Sequence, residues 1–168
     1  ITDAAHFDTD DNNTPWDEST ASFIELNGNT RTVQGSGVTV NANIATVTSS
    51  GTYVISGVLD DGQIRVYTAS LDKETVHLVF NGITLNCSTS APVYIISAEK
   101  TVITLAEGTE NYLTDAETYV FDDTTTDKPG AAIYSKDDLT INGNGALVIQ
   151  ANYNNGIQSK DELIITGG

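Results

Sequence analysis

The stretch Ile133-Tyr134-Ser135-Lys136-Asp137-Asp138-Leu139-Thr140-Ile141 is followed by Ile157-Gln158-Ser159-Lys160-Asp161-Glu162-Leu163-Ile164-Ile165 at a constant offset of 24 residues, and Gly143 is matched by Gly167. Each copy reads as a short strand, a charged turn and a second short strand, with no helical period. A repeat of roughly 20 to 30 residues without a helix cannot bury a core alone and must stack on its neighbours. A fainter earlier copy is Val93-Tyr94-Ile95 with Ser97-Ala98-Glu99-Lys100-Thr101-Val102. Setting Val102 over Leu139 puts Lys100 over Asp137 and Glu99 over Lys136. Between the faint copy and the strong ones an insertion, roughly Glu107 to Lys128, is expected to leave the stack as a loop. The resulting expectation is an all-β chain folded as a right-handed parallel β-helix, a solenoid, with an N-terminal β cap from Phe23 to about Gly62.

Working outward, β-branched runs such as Val38-Thr39-Val40, Tyr53-Val54-Ile55 and His77-Leu78-Val79-Phe80 recur between Gly, Asn, Asp and Ser punctuation. Residues 1–20 are polar and acidic and read as a linker or arm, with the domain proper spanning 21–168. A bare end of such a stack exposes a sheet edge, so the C-terminal end is expected to be truncated or continued by another molecule.

The 168 residues carry 7 Lys and Arg against 23 Asp and Glu, a net charge of −16 that repels polyanions and excludes nucleic-acid binding. No apolar run approaches the ~20 residues of a membrane span. Cys87 has no cysteine partner and reads as a small buried filler, and two His, one Trp and no Met leave little for zinc or haem. Oxygen ligands remain, which favour calcium.

Stacking the repeat brings Asp137 near Asp161 and Asp138 near Glu162, about one strand spacing apart. Like charges at that distance need neutralising. Two answers stay open: a calcium ion held by Asp137, Asp138, Asn155, Asp161 and Glu162, or a solvated acidic edge balanced by Lys136 and Lys160. On the arm, Asp8, Asp10 and Asn12 alternate as calcium loops begin, but no Gly or distal Glu follows in register. Asp122, Asp123 and Asp127 read as a solvated loop. His6 falls on the arm and His77 in a strand, where structural roles are expected. Tyr94 and Tyr134 occupy equivalent outward positions and, with Tyr153, Lys136 and Lys160, make the candidate carbohydrate-binding set; Trp16, Tyr112 and Tyr119 complete the aromatic supply. A lysine serves as a base only when desolvated or beside positive charge, and Lys136 and Lys160 are flanked by Asp.

The runs from Ala131 to Gly143 and from Tyr153 to Leu163, with Val102-Ile103-Thr104-Leu105-Ala106-Glu107-Gly108-Thr109-Glu110-Asn111, resemble a family of secreted bacterial carbohydrate-binding domain proteins. Trp16-Asp17-Glu18-Ser19 and Gly35-Ser36-Gly37-Val38-Thr39-Val40 resemble its amino-terminal region. The resemblance implies a calcium-binding right-handed parallel β-helix that takes cellulose and acidic pectic sugars and is related to family nine polysaccharide lyases. Those lyases use a lysine beside calcium, and members usually continue into further repeats past the position of Gly168. The function expected is therefore a non-catalytic, extracellular or cell-surface polysaccharide-binding domain. Calcium is required as a bridge if the ligand is pectate and not if it is cellulose. The alternative is a surface or matrix protein whose copies assemble end to end into filaments with calcium between them. A lyase is the third reading.

Overall fold

The computed structural model describes residues 7–121 and 128–168. His6, Asp122, Asp123 and Asp127 lie outside the described residues. A single 3-10 turn over Thr9–Asn12 precedes two hairpins, β1 (Ser22–Gly28) with β2 (Thr30–Gln34), and β3 (Val38–Asn41) with β4 (Ile44–Val47). Then follow β5 (Gly51–Leu59), β6 (Gln63–Tyr67), β7 (Thr75–Asn86), β8 (Val93–Ser97), β9 (Lys100–Leu105) and β10 (Glu110–Thr114). The last five are β11 (Ala131–Ser135), β12 (Asp138–Gly143), β13 (Ala146–Gln150), β14 (Asn155–Ser159) and β15 (Leu163–Ile165).

All-β is what the β-branched alternation leads one to expect, but the right-handed parallel β-helix with its N-terminal cap is corrected. The strands sort into two mixed sheets. A nine-stranded sheet runs β15-β12-β9-β7-β5-β1-β2, with β10 and β13 branching from β7, and a six-stranded sheet runs β14-β11-β8-β6-β4-β3. Each contains one antiparallel pair, β1/β2 or β3/β4, and is otherwise parallel. The physical reason is local. The 24-residue repeat specifies only the parallel pairing of its own copies, whereas two-residue turns at Gly28-Asn29 and Ala42-Asn43 fold the amino-terminal chain back on itself. Residues 23–62 are thus no separate cap, since β1 and β5 are members of the large sheet.

Within the repeat the register is as the offset requires: Ile133 pairs with Ile157, Leu139 with Leu163 and Ile141 with Ile165. The faint copy is shifted by one from the expected alignment. Val102 pairs with Thr140, Thr101 lies beside Leu139, and Lys100 lies beside Asp138. Ile103 and Leu105 must face inward, so Thr101 takes the inward place and Val102 the outward one; a slip of one residue would reverse both faces. The expected insertion loop is also corrected, because β10 lies inside it and pairs with both β7 and β13.

Between the sheets sits one core containing Ile24, Ile55, Leu78, Phe80 and Ile103 from the large sheet and Ile64, Val66, Val93, Ile95 and Ile133 from the small one. Each such side chain contributes about 1.5–3 kcal/mol.

Candidate functional site

The outer face of the six-stranded sheet carries an in-register row, Arg65 beside Tyr94 and Tyr94 beside Tyr134, with Gln158 next. Tyr94 and Tyr134 meet edge to face, with centroids 5.7 Å apart, and the Arg65 guanidinium carbon lies 5.8 Å from the Tyr94 ring centroid. The Arg65 Nε donates to Gln63 Oε1, and Gln63 Nε2 donates to the Ala91 carbonyl at 2.6 Å. These bonds fix both side chains along one wall of a cavity of about 250 Å³, whose other walls include Asn43, Thr89, Tyr94 and Phe121. Next to it, Phe121 lies 6.2 Å from Tyr119, and Tyr119 stacks on Tyr153 at 4.2 Å. The Tyr119 hydroxyl donates to Asp115 Oδ2 at 2.6 Å; burial first, and then the Asp115 carboxylate, push its pKa far above the ordinary value. It therefore remains a fixed donor. Asp115 also accepts from the Asn152 backbone N–H at 2.5 Å, which anchors the loop that presents Tyr153.

Of the expected sugar-binding residues, Tyr134 is buried at 1% exposure and serves as a foundation, Tyr94 borders the cavity, and Tyr153 is 40% exposed. Lys136 and Lys160 lie on the exposed turns that follow β11 and β14. Arg65, Gln63 and Phe121 escaped the sequence reading. Arg65, one of only seven basic residues and set in an apolar strand, was the available signal.

The acidic corner distributes differently from a cation cage. Asp137 Oδ2 accepts from the Ala98 N–H at 3.0 Å, and Asp138 Oδ1 accepts from the Glu162 N–H at 3.2 Å. The Asp137 carbonyl takes the hydroxyls of Ser135 and Ser159. Asp161 and Glu162 are exposed, and Asn155 opens β14 at the end away from this turn. Among the described residues no three His, Cys, Asp or Glu side chains converge on a point that could hold a metal ion. The five residues expected at this corner therefore do not all gather at one point, Asn155 standing at the far end of its strand.

The acidic arm docks where sequence gave no sign of it. Asp11 is fully buried against the outer face of the large sheet, 2.6 Å from Lys100 Nζ, and accepts from the Thr140 hydroxyl at 2.5 Å and from the Asp8 N–H at 2.6 Å. Lys100 also donates to Asp8 at 3.3 Å. Asn142 Nδ2 donates to the carbonyls of Asp11 and Asn13, both at 3.1 Å, and Thr166 donates to Asp11 O at 2.9 Å. Thr104 donates to Asn142 Oδ1 at 2.6 Å, which leaves its oxygen to accept from His77 Nε2 at 2.6 Å and sets that tautomer. Burial holds the His77 pKa below its ordinary value against the opposing charge of Asp10, so the ring is neutral and structural. Asp10 itself accepts from Thr75. Burial raises the Asp11 pKa, but the bonds from Lys100, Thr140 and the Asp8 N–H outweigh it and the net shift is downward. Burial likewise opposes the charged Lys100, and Asp11 with Asp8 reverses that to a net upward shift. Lys100 is a held ammonium group.

An all-β domain with a cavity of amide and guanidinium donors beside aromatic rings has a solved counterpart. The structure of the polysaccharide lyase-like protein from C. thermocellum, a gadolinium derivative, matches with a TM-score of 0.83 at 42% identity over 88% of this chain and 59% of that one. A carbohydrate-binding domain-containing protein of Acetivibrio thermocellus is 48% identical over 133 residues, which is 79% of this chain and 46% of that protein. The chain thus spans about half the length of the curated relative it matches. The family model of carbohydrate-binding domain-containing proteins covers residues 41–168, and the chain belongs to that family.

Proposed function

We propose that this chain is a non-catalytic, extracellular or cell-surface polysaccharide-binding domain whose binding face is the cavity at Arg65 and Tyr94 with the rings of Phe121 and Tyr153, which the buried Tyr119 supports. The observation that carries the reading is the composition of that cavity. Asn43, Gln63 and Arg65 present hydrogen-bonding groups beside ring faces, the mixture that suits a ligand of hydroxyls and apolar ring faces. Lys100, a buried lysine whose carboxylate partners keep it protonated, does not serve as the base a lyase would need. A neutral polymer such as cellulose suits a chain of charge −16 better than pectate, and pectate would require calcium as a bridging ion.

Pull-down on cellulose and on pectate, with calcium or with chelator, tests the proposal. Retention on cellulose in both conditions is expected, and Arg65→Ala or Tyr153→Ala is expected to weaken it about tenfold, since a single stacked or charge-assisted contact is worth ~1–2 kcal/mol. No retention on either polymer sinks the binding reading. New ultraviolet absorbance on incubation with pectate, from an unsaturated product, would replace it with the lyase.

A further inference from the structure

We propose that a second sugar site, for a single neutral pyranose ring, lies on the large sheet between Trp16, Glu107 and Asn144; it rests on the polysaccharide-binding reading and extends it to another face. A cavity of about 220 Å³ opens there, walled by Thr14 and Trp16 from the arm, by Glu107 just after β9 and by Asn144 in the turn between β12 and β13. Its volume falls below the few hundred Å³ typical of sites for larger ligands, so it holds one ring of a chain.

The local structure sets these groups in place. The Asn144 and Gly145 N–H groups both donate to the Leu105 carbonyl, at 3.2 and 3.1 Å, drawing the β12–β13 turn down onto the end of β9. Gly143, at φ +96°, permits that approach, because a Cβ there would strike the Leu105 carbonyl. Trp16 packs on Val54, Val79 and Ala106 and borders the cavity at the same time. Its position is held from upstream, since Asn142 grips the carbonyls of Asp11 and Asn13. The indole is therefore a packed, partly exposed ring rather than a side chain standing off in solvent.

The chemistry selects the ligand. An indole face receives the C–H face of a pyranose, while an exposed carboxylate accepts and an exposed amide both donates and accepts hydrogen bonds to ring hydroxyls. Glu107 at the rim and the overall charge of −16 turn away a uronate. The site lies on the opposite sheet from the Arg65 and Tyr94 cavity, so two sites on one rigid body engage separate strands of a polymer and raise avidity without new contacts.

Trp16 is the only tryptophan in the chain, so its emission reports on this site. Titration of the intact protein with cellotetraose is expected to shift or quench that emission saturably. Asn144→Ala and Glu107→Ala should each weaken the half-saturation point at least fivefold while leaving the thermal midpoint unchanged. Arg65→Ala should leave the titration as it was while lowering retention on cellulose. Digalacturonate should leave the emission unmoved. An unchanged emission in protein that cellulose retains overturns the second site and leaves the first standing. Loss of the emission change in Arg65→Ala but not in Asn144→Ala also overturns it. An equal response to digalacturonate overturns the assignment to neutral sugar. If cellulose does not retain the protein but the emission still titrates, the first site falls and this one stands.

Discussion

Lys100 and Asp11 show how much one pair of residues can carry. A buried ion pair adds little over a well-packed apolar pair, yet breaking it by removing one partner strands a buried charge. Lys100→Met is therefore expected to cost about 3–5 kcal/mol in urea unfolding, and adding Asp11→Asn should restore at least half of that loss. A double variant as unstable as the sum of its singles would show that the two do not act as a pair. The pH dependence follows from the two shifts. Asp11 is lowered from its ordinary 3.8, so its contribution is present above that value and lost as pH falls through its lower folded value. Lys100 is raised from 10.5, so its contribution is present below that value and lost as pH rises through its higher folded one. Stability measured across pH should fall at both limbs in the native protein, and both falls should flatten in Lys100→Met.

Among elements, the two amino-terminal hairpins decide that the sheets are mixed. In the first, Gly28 takes the turn's positive φ of 68° without cost. In the second, Ala42 takes φ 52°, the one non-glycine residue among those described to do so. Its carbonyl accepts from Arg31 Nη1 at 2.6 Å, which clamps the turn in place. Left-handed backbone costs an L-residue about 1–2 kcal/mol, part of which glycine returns through its freer unfolded chain. Ala42→Gly is expected to stabilise the protein by about 0.5–1 kcal/mol by thermal unfolding; a destabilised variant would mean that the Arg31 clamp already removes the strain. In the middle of the chain, β7 pairs with β9 through its first half and with β10 through its second, so the large sheet branches. That branch supports the loop carrying Tyr119 and Phe121, and hence one wall of the cavity.

For the whole molecule, the charge of −16 governs how copies meet. Repulsion keeps copies apart at low ionic strength, and screening near 0.15 M shortens its reach to about 8 Å. Light scattering should therefore show strong repulsion between copies at low salt that fades toward zero at about 0.15 M. A monomer in both, with and without calcium, removes end-to-end assembly. No helix among the described residues is long and apolar enough to cross a membrane.

The sequence by itself determined the local and the periodic. Alternating β-branched runs gave strands, and the 24-residue offset gave the pairing of Ile133 with Ile157 and Leu139 with Leu163, because identical patterns bury identical faces. It also supplied the acidic balance and the polysaccharide family. The tertiary structure decided the rest. The sheets are mixed because turn geometry at two hairpins outweighs the repeat, and Val102 faces outward because Ile103 and Leu105 claim the core. Asp11 is buried through partners more than a hundred residues away, Thr140 and Asn142, which no local pattern announces. Tyr134 is buried and Tyr153 exposed although the sequence offers both as sugar-binding candidates, because what covers each ring comes from elsewhere in the chain. A side chain's type sets what it can do; what packs over it settles whether a ligand can reach it.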